Sequence, residues 1–411
     1  AYGRAKAKYN FVSSCIGLVK SVAVYHYDVY PMFWRLTGSF LASYFPTRFQ
    51  GEITHSLVFF FAFNFIDTII SLPLAYYHSF VLEEKFGFNK MTVNLWLTDL
   101  VKSQALGLAL GGPIGAAMLY IIRKTGDSFF YYLWIFMLAV QLIAVTIYPI
   151  VIVPLFNKLE PLKEGALKTD IDTLAASLSF PLAELQIIDG SKRSAHSNAY
   201  FTGLPWKKKI VIYDTLLEQS SNDEVVAVLA HELGHWKMGH TTSLLLVSQF
   251  HMFYIFALFS AFIHNASLYR AFGFGGLPGE SLINSKRVPG MPIMIGLLLF
   301  NDVFAPLDNF IKLGMNTLTR RFEYQADAFA VAQKKKDALA RALIKLQVSN
   351  LSSMDADWVY SAYHYSHPIL SERLGAMGWK STEKVEVKEK KKEGDGKKEE
   401  GGAAVASGRE L

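Results

Sequence analysis

The residue types and spacing that carry chemistry most directly are those of His231-Glu232-Leu233-Gly234-His235. On a helix, positions i and i+4 share a face, so both imidazoles reach one metal ion. Glu232, beside them, is placed to act as the general base on a water at that metal. A catalytic zinc takes three protein ligands and keeps one position open. A third histidine six residues after His235 would complete one known pattern, but Thr241 stands there, and Met238 stands where that pattern has glycine. His240 is out of register and reads as a loop residue. A glutamate from a later helix is the alternative, and Glu323 in Arg320-Arg321-Phe322-Glu323-Tyr324-Gln325-Ala326-Asp327 supplies it. Glu323 and Asp327 are again i and i+4. Glu323 would ligate zinc, and Asp327 would accept a hydrogen bond from the far nitrogen of a ligand histidine, fixing its orientation and tautomer. An E-x-x-x-D pair alone is common on solvated helix faces; the His231 motif gives it weight.

The elements that must position these residues are mostly apolar helices. Of 411 residues, 51% are hydrophobic and 18% charged, against about a quarter charged in soluble domains. Long apolar runs cover 56–80, 101–122, 128–156, 242–264 and 291–313, each long enough to cross a hydrocarbon core of about 30 Å. The run 11–45 is broken by Lys20, His26, Asp28 and Arg35, and reads either as a sixth span or as an interfacial amphipathic helix. The chain is thus expected to be a mainly α, polytopic integral-membrane protein. Gly107, Gly111 and Gly115 are spaced to let another helix approach closely. Asn64, Asp67, Asn301, Asp302, Asp308 and Asn309 lie inside apolar runs, where polar groups face a wet cavity or bond between helices. With so much apolar surface, the net charge of +6 reads as loop charge on a membrane protein and not as a nucleic-acid footprint. The single cysteine, Cys15, excludes an intrachain disulfide and a cysteine-rich metal site.

Five segments follow: 1–155 with the N-terminal transmembrane helices, 156–241 with the H-E-x-x-H helix, 242–313 as a transmembrane helix pair, 314–379 with the third ligand, and a disordered Lys/Glu-rich tail over 380–411. In the second segment, 185–189 and 209–214 read as short strands, and Asp223 reads as the cap of the motif helix. Two crossings separate His235 from Glu323, so both half-sites fall on one side of the membrane. The connection 265–290 carries only Arg270, Lys286 and Arg287, whereas 156–241 and 314–379 are richer in lysine and arginine, which favours a cytosolic site.

These motifs, together with Leu82-Glu83-Glu84-Lys85-Phe86-Gly87-Phe88-Asn89, the run from Asp189 through His196, Asn198 and Tyr200 to Phe201, and Tyr363-His364-Tyr365-Ser366-His367-Pro368, resemble the type I CaaX prenyl proteases. The resemblance spans roughly residues 1–379. It implies a helical barrel around a large intramembrane chamber, with zinc at its cytosolic end and a small protease portion containing a short β element. It also implies substrates with a farnesylated C-terminal cysteine, from which the last three residues are removed, in some cases with a second upstream cut. The implied location is the endoplasmic reticulum membrane, with the inner nuclear membrane as a second one. One further transmembrane helix is expected before Ala1. The resemblance also gives Asn198 the task of holding substrate backbone, although its position between two strands equally suits a turn residue. It gives His367 a part in stabilising the oxyanion, although before Pro368 it also reads as a helix-boundary residue. Arg320 and Arg321 would either orient Glu323 or bind the substrate carboxylate.

The reading is a zinc metalloendopeptidase with ligands His231, His235 and Glu323 and with Glu232 as base, acting on farnesylated CaaX proteins in a lipid membrane. Two rivals remain: a membrane quality-control protease that needs no prenyl group, and a non-proteolytic scaffold or transporter that uses the polar interior.

Overall fold

The computed structural model describes residues 1–204, 206–274, 280–283, 286–289, 291–352, 355–381 and 385. The expected disordered tail lies almost wholly outside them. Helix α1 (Tyr2–His26) and α2 (Val29–Tyr44) are separated by Asp28, which has a left-handed backbone at φ 47°. Helix α3 (Glu52–Tyr76) continues through a π-helical stretch, Tyr77–Glu83, and α4 (Val93–Thr125) returns. Helix α5 (Phe129–Ile147) winds into a second π-helical stretch, Tyr148–Ile152, and the single turn α6 (Val153–Phe156). The membrane-length apolar helices fall within 52–83, 93–156, 240–262 and 293–332. The run 11–45, divided between α1 and α2, is not among them.

The glycine stripe does two things. Gly111 and Gly115 of α4 pack against α3, where an added Cβ would sit 3.4 Å from Phe61 and 3.1 Å from Leu57. Gly107 meets nothing within 4 Å and opens onto a cavity.

After α6 come β1 (Leu159–Pro161), α7 (Ala166–Ser177), β2 (Leu182–Ile188), β3 (Ala199–Leu204), β4 (Lys207–Tyr213) and α8 (Asp214–Gln219). The strands form one sheet in the order β1-β2-β4-β3, with β2 and β4 parallel and the other pairs antiparallel. The sequence anticipates β2 and β4 but not β1 or β3, and β3 is an edge strand.

The motif helix α9 spans Asn222–Lys237. Its cap is Ser221 and not Asp223. Ser221 Oγ accepts from the Glu224 amide at 3.5 Å, and a Glu224 carboxylate oxygen accepts from the Ser221 amide at 2.8 Å. This reciprocal pair satisfies two orphan donors, which Asp223, already inside the first turn, does not do; Asp223 instead pairs with Lys335. Only Met238 and Gly239, the latter at φ 69°, separate α9 from α10 (His240–Phe262). Helix α11 (Ala266–Ala271) and the hairpin β5 (Glu280–Ile283) with β6 (Lys286–Pro289) follow.

Helix α12 (Ile293–Ala332) runs unbroken through the boundary expected at 313/314. A single glycine there costs only about 1 kcal/mol against alanine, and helix-compatible residues on both sides carry the helix past it. At 1.5 Å per residue its 40 residues span about 60 Å, so one helix both crosses the membrane and delivers Glu323. Helices α13 (Lys336–Ser349), α14 (Trp358–His364) and α15 (Leu370–Ala376) complete the fold.

Two apolar cores hold these elements. One packs α7, α9, α13 and the sheet around Ile171, Ile210, Ile212, Leu216, Leu229 and Leu339. The other gathers the ends of the spanning helices around Phe59, Leu119, Leu133, Phe259, Tyr269 and Leu299. Between them few side chains are buried, although α5 and α10 still meet through Gln141 and Gln249. Helix α12 buries no side chain from 301 to 319, about 30 Å of helix. The most apolar window of 93–156 buries none either.

Candidate active site

The first core fixes α9. Val225–Ala230 are all buried, so sheet, α7, α12 and α13 surround the helix. Gly234 brings α12 close, since a Cβ there would lie 3.1 Å from the Phe329 ring. That approach sets the His231/His235 face of α9 against the Glu323 face of α12.

There, His231 Nε2 and His235 Nε2 are 3.2 Å apart. Glu323 Oε1 is 3.3 Å from His235 Nε2, and its Oε2 is 3.5 Å from His231 Nε2. One donor atom from each residue lies within 4.8 Å of the other two. Glu323 Oε2 is buried with no hydrogen-bond partner, an arrangement that costs free energy unless something else binds that oxygen. Two imidazole nitrogens, one carboxylate and an orphaned buried oxygen fit a cation.

The structure places the remaining expected residues as follows. Asp327 Oδ1 lies 2.9 Å from His231 Nδ1. Glu232 is half-buried and lines a cavity of about 410 Å³ together with the three candidate ligands, Asn198 and His367. Burial pushes the Glu232 carboxyl above the ordinary glutamate range, and the two neighbouring imidazoles oppose the shift. His367 Nε2 is 3.3 Å from Glu323 Oε1 on an exposed ring. Asn198 sits immediately before the edge strand β3, with its backbone carbonyl accepting from the Tyr213 amide at 3.0 Å.

Arg320 departs from expectation. It is buried, donating to Ser361 Oγ at 2.8 Å, to the His367 carbonyl at 3.3 Å and to Glu372 at 2.6 Å. Its guanidinium is spent on α14, α15 and the His367 backbone, and it does not line the cavity. The arginine at the centre is Arg373, which sequence reasoning missed. It makes two bonds to Asp327, at 2.8 and 2.6 Å, and its third nitrogen is 3.5 Å from Glu323 Oε2. Asp327 is 1% exposed, so without Arg373 its buried charge would have only the His231 imidazole beside it. Arg321 is exposed. His240, read as a loop residue, instead begins α10, is buried, and touches His235.

The stretch Leu82–Asn89 steadies the approach to β3. The Lys90 amide donates to the Arg193 carbonyl and the Ala195 amide to the Phe88 carbonyl, at 3.1 Å each, and the buried Phe88 ring stacks on His196. Arg193 clamps Asp99 of α4 through two bonds of 2.8 and 3.0 Å. Helix α4 and the loop before Asn198 are thereby tied together.

The six polar residues within the spans do not line either of two cavities, that of about 410 Å³ at the site and a larger one of about 870 Å³. Three pair with other helices: Asp67 with Lys20, Asp302 with Tyr25 and Asn309 with Tyr363.

A histidine–histidine–glutamate group with a glutamate beside it, carried on helices of a multi-pass membrane protein, defines a membrane metalloprotease. Residues 1–158 match the family model for the CAAX prenyl protease N-terminal region, described as five membrane helices, and residues 161–378 match peptidase family M48. The chain belongs to the CAAX prenyl protease family within M48. It is 46% identical over 387 residues to CAAX prenyl protease 1 of Saccharomyces cerevisiae, covering 93% of this chain and 85% of that one. It is 38% identical to the CAAX prenyl protease 1 homolog of Homo sapiens, covering 92% and 84%. The crystal structure of S. mikatae Ste24p superposes with a TM-score of 0.84 at 45% identity, covering 92% of this chain and 86% of that one.

Proposed function

We propose that the protein is a zinc endopeptidase that removes the last three residues of farnesylated CaaX proteins, with a second upstream cut within reach of the same site. The observation that carries this reading is that the His231–His235–Glu323 group and the start of the edge strand β3 face one cavity. An edge strand offers unpaired backbone groups to an extended peptide. The match of nearly the whole chain to proteins named CAAX prenyl proteases supports the substrate class.

His231, His235 and Glu323 would hold the ion. When bound, zinc supplies Lewis acidity, polarising the scissile carbonyl and making water at the site more acidic. Glu232 takes the proton of the attacking water on its carboxylate and delivers it to the nitrogen of the departing amine. His367 donates from its ring to the oxygen on which charge develops. Asn198 anchors the peptide backbone where it joins β3. Asp327, held by Arg373, keeps the His231 ring in place.

The prenyl chain needs apolar room beside the peptide. The cavity of about 870 Å³ is lined by Leu106, Leu110, Ile152, Val153 and Phe156, and Tyr200 of β3 lines both cavities. The reading places the protein in the endoplasmic reticulum and inner nuclear membranes with its site towards the cytosol, consistent with the lysine and arginine of 156–241 and 314–379.

Matched farnesylated and unmodified CaaX peptides, incubated with purified protein and followed by mass spectrometry, test the reading. The farnesylated peptide is expected to lose its terminal tripeptide and the unmodified one to remain intact. Equal cleavage of both would favour a quality-control protease, and cleavage of neither a non-proteolytic role.

A further inference from the structure

The two histidines of the metal group are held from behind in different ways. His231 meets a carboxylate, Asp327, which is paired with Arg373. His235 meets no carboxylate on that side. Its Nδ1 lies 3.0 Å from Nδ1 of His240, and Nε2 of His240 lies 3.0 Å from Oε1 of Gln325.

Local structure fixes this chain of contacts. The left-handed Gly239 folds α10 back so that its first residue sits over the end of α9. His240 is 3% exposed, and its ring lies flat on Phe322, with centroids 4.1 Å apart and planes 6° apart. Phe322 and Gln325 flank Glu323 on α12. One buried imidazole therefore touches the helices that supply all three ligands. It is not itself placed as a ligand, because both of its nitrogens are engaged away from the converging Nε2 atoms.

The hydrogens along the chain follow from one requirement. A histidine that binds a metal through Nε2 carries its proton on Nδ1. His235 Nδ1–H then donates, so His240 Nδ1 must accept. A neutral imidazole that accepts at Nδ1 carries its proton on Nε2, which donates to the carbonyl oxygen of Gln325. Each of the two contacts then pairs one donor with one acceptor, and no charge is added beside the Glu323 carboxylate.

We propose that His240, acting through Gln325, is a positioning residue of the metal centre: it fixes the tautomer and ring plane of His235 and so raises affinity for the metal. The proposal rests on the zinc reading above. Partners of this kind alter metal affinity or activity by about 10–100-fold when removed.

Zinc affinity of the purified full chain, measured by competition with a chromogenic chelator, tests it without recourse to turnover. His240→Phe keeps an aromatic ring against Phe322 but removes the acceptor, and is expected to weaken zinc binding by about 10–100-fold. His240→Gln restores an oxygen acceptor and should recover most of that loss. Gln325→Leu, which leaves His240 in place but unanchored, should fall between them. Thermal unfolding of each apo-protein separates a folding defect from a metal defect, and if His240→Phe does not fold, Gln325→Leu decides. Wild-type zinc binding together with undiminished affinity in the folded variants would overturn the proposal alone. A wild-type protein that takes up no zinc would overturn the metal reading and this proposal with it.

Discussion

Glu232→Gln is expected to keep its metal and lose nearly all turnover. The amide is close to isosteric with the carboxylate, and Glu232 is not one of the three grouped donors, so zinc content should match that of wild type. What disappears is the group that accepts and returns a proton. General acid–base catalysis is typically worth about 10²–10⁴-fold, and here a single carboxylate serves both transfers, so the loss should lie at the upper end. The check is kcat on a farnesylated peptide alongside zinc quantified on the same sample. Wild-type turnover in this variant would remove Glu232 from the mechanism.

The second large effect is loss of the ion itself. Glu323→Ala takes away the carboxylate between the two imidazoles and Arg373, leaving His231 and His235 of the three grouped donors found among the described residues. Two ligands do not hold a catalytic zinc, which takes three. Metal content and activity should fall together, below detection. His231→Ala and His235→Ala should behave the same way, whereas Asp327→Ala, which removes only the support of His231, should cost about 10–100-fold. Full zinc occupancy in Glu323→Ala would move the third ligand elsewhere, with His367, 3.3 Å from Glu323, the nearest candidate.

These residues could be read from the sequence because their geometry is local. A helix repeats every 3.6 residues, so His231/His235 and Glu323/Asp327 declare a shared face from spacing alone. The same locality hid others. Arg373 lies 46 residues beyond Asp327 and 142 beyond His231, and nothing in the sequence near it marks a partner that far away. His240 was dismissed because its spacing fits no ligand pattern; its role comes from the reversal at Gly239 and from Gln325, 85 positions on. The signal that the sequence carries is a histidine directly after a glycine, Gly239-His240. Strand β3 was missed because Gly203 and the polar Thr202 weaken its alternation, while its pairing with β4 holds it in the sheet. Arg320 looked free to meet substrate because Ser361 and Glu372, which occupy it, lie on later helices. The apolar runs gave the membrane class, but which of their side chains are buried depends on how the helices pack, which hydropathy alone does not show.

Zinc stoichiometry measured together with turnover tests the central claim most directly. Purified protein should carry one zinc per chain, lose cleavage of a farnesylated CaaX peptide as a chelator removes that zinc, and regain it in proportion when zinc is returned. Cleavage that persists undiminished after the last zinc has been removed would contradict the assignment of His231, His235 and Glu323 as the catalytic metal centre.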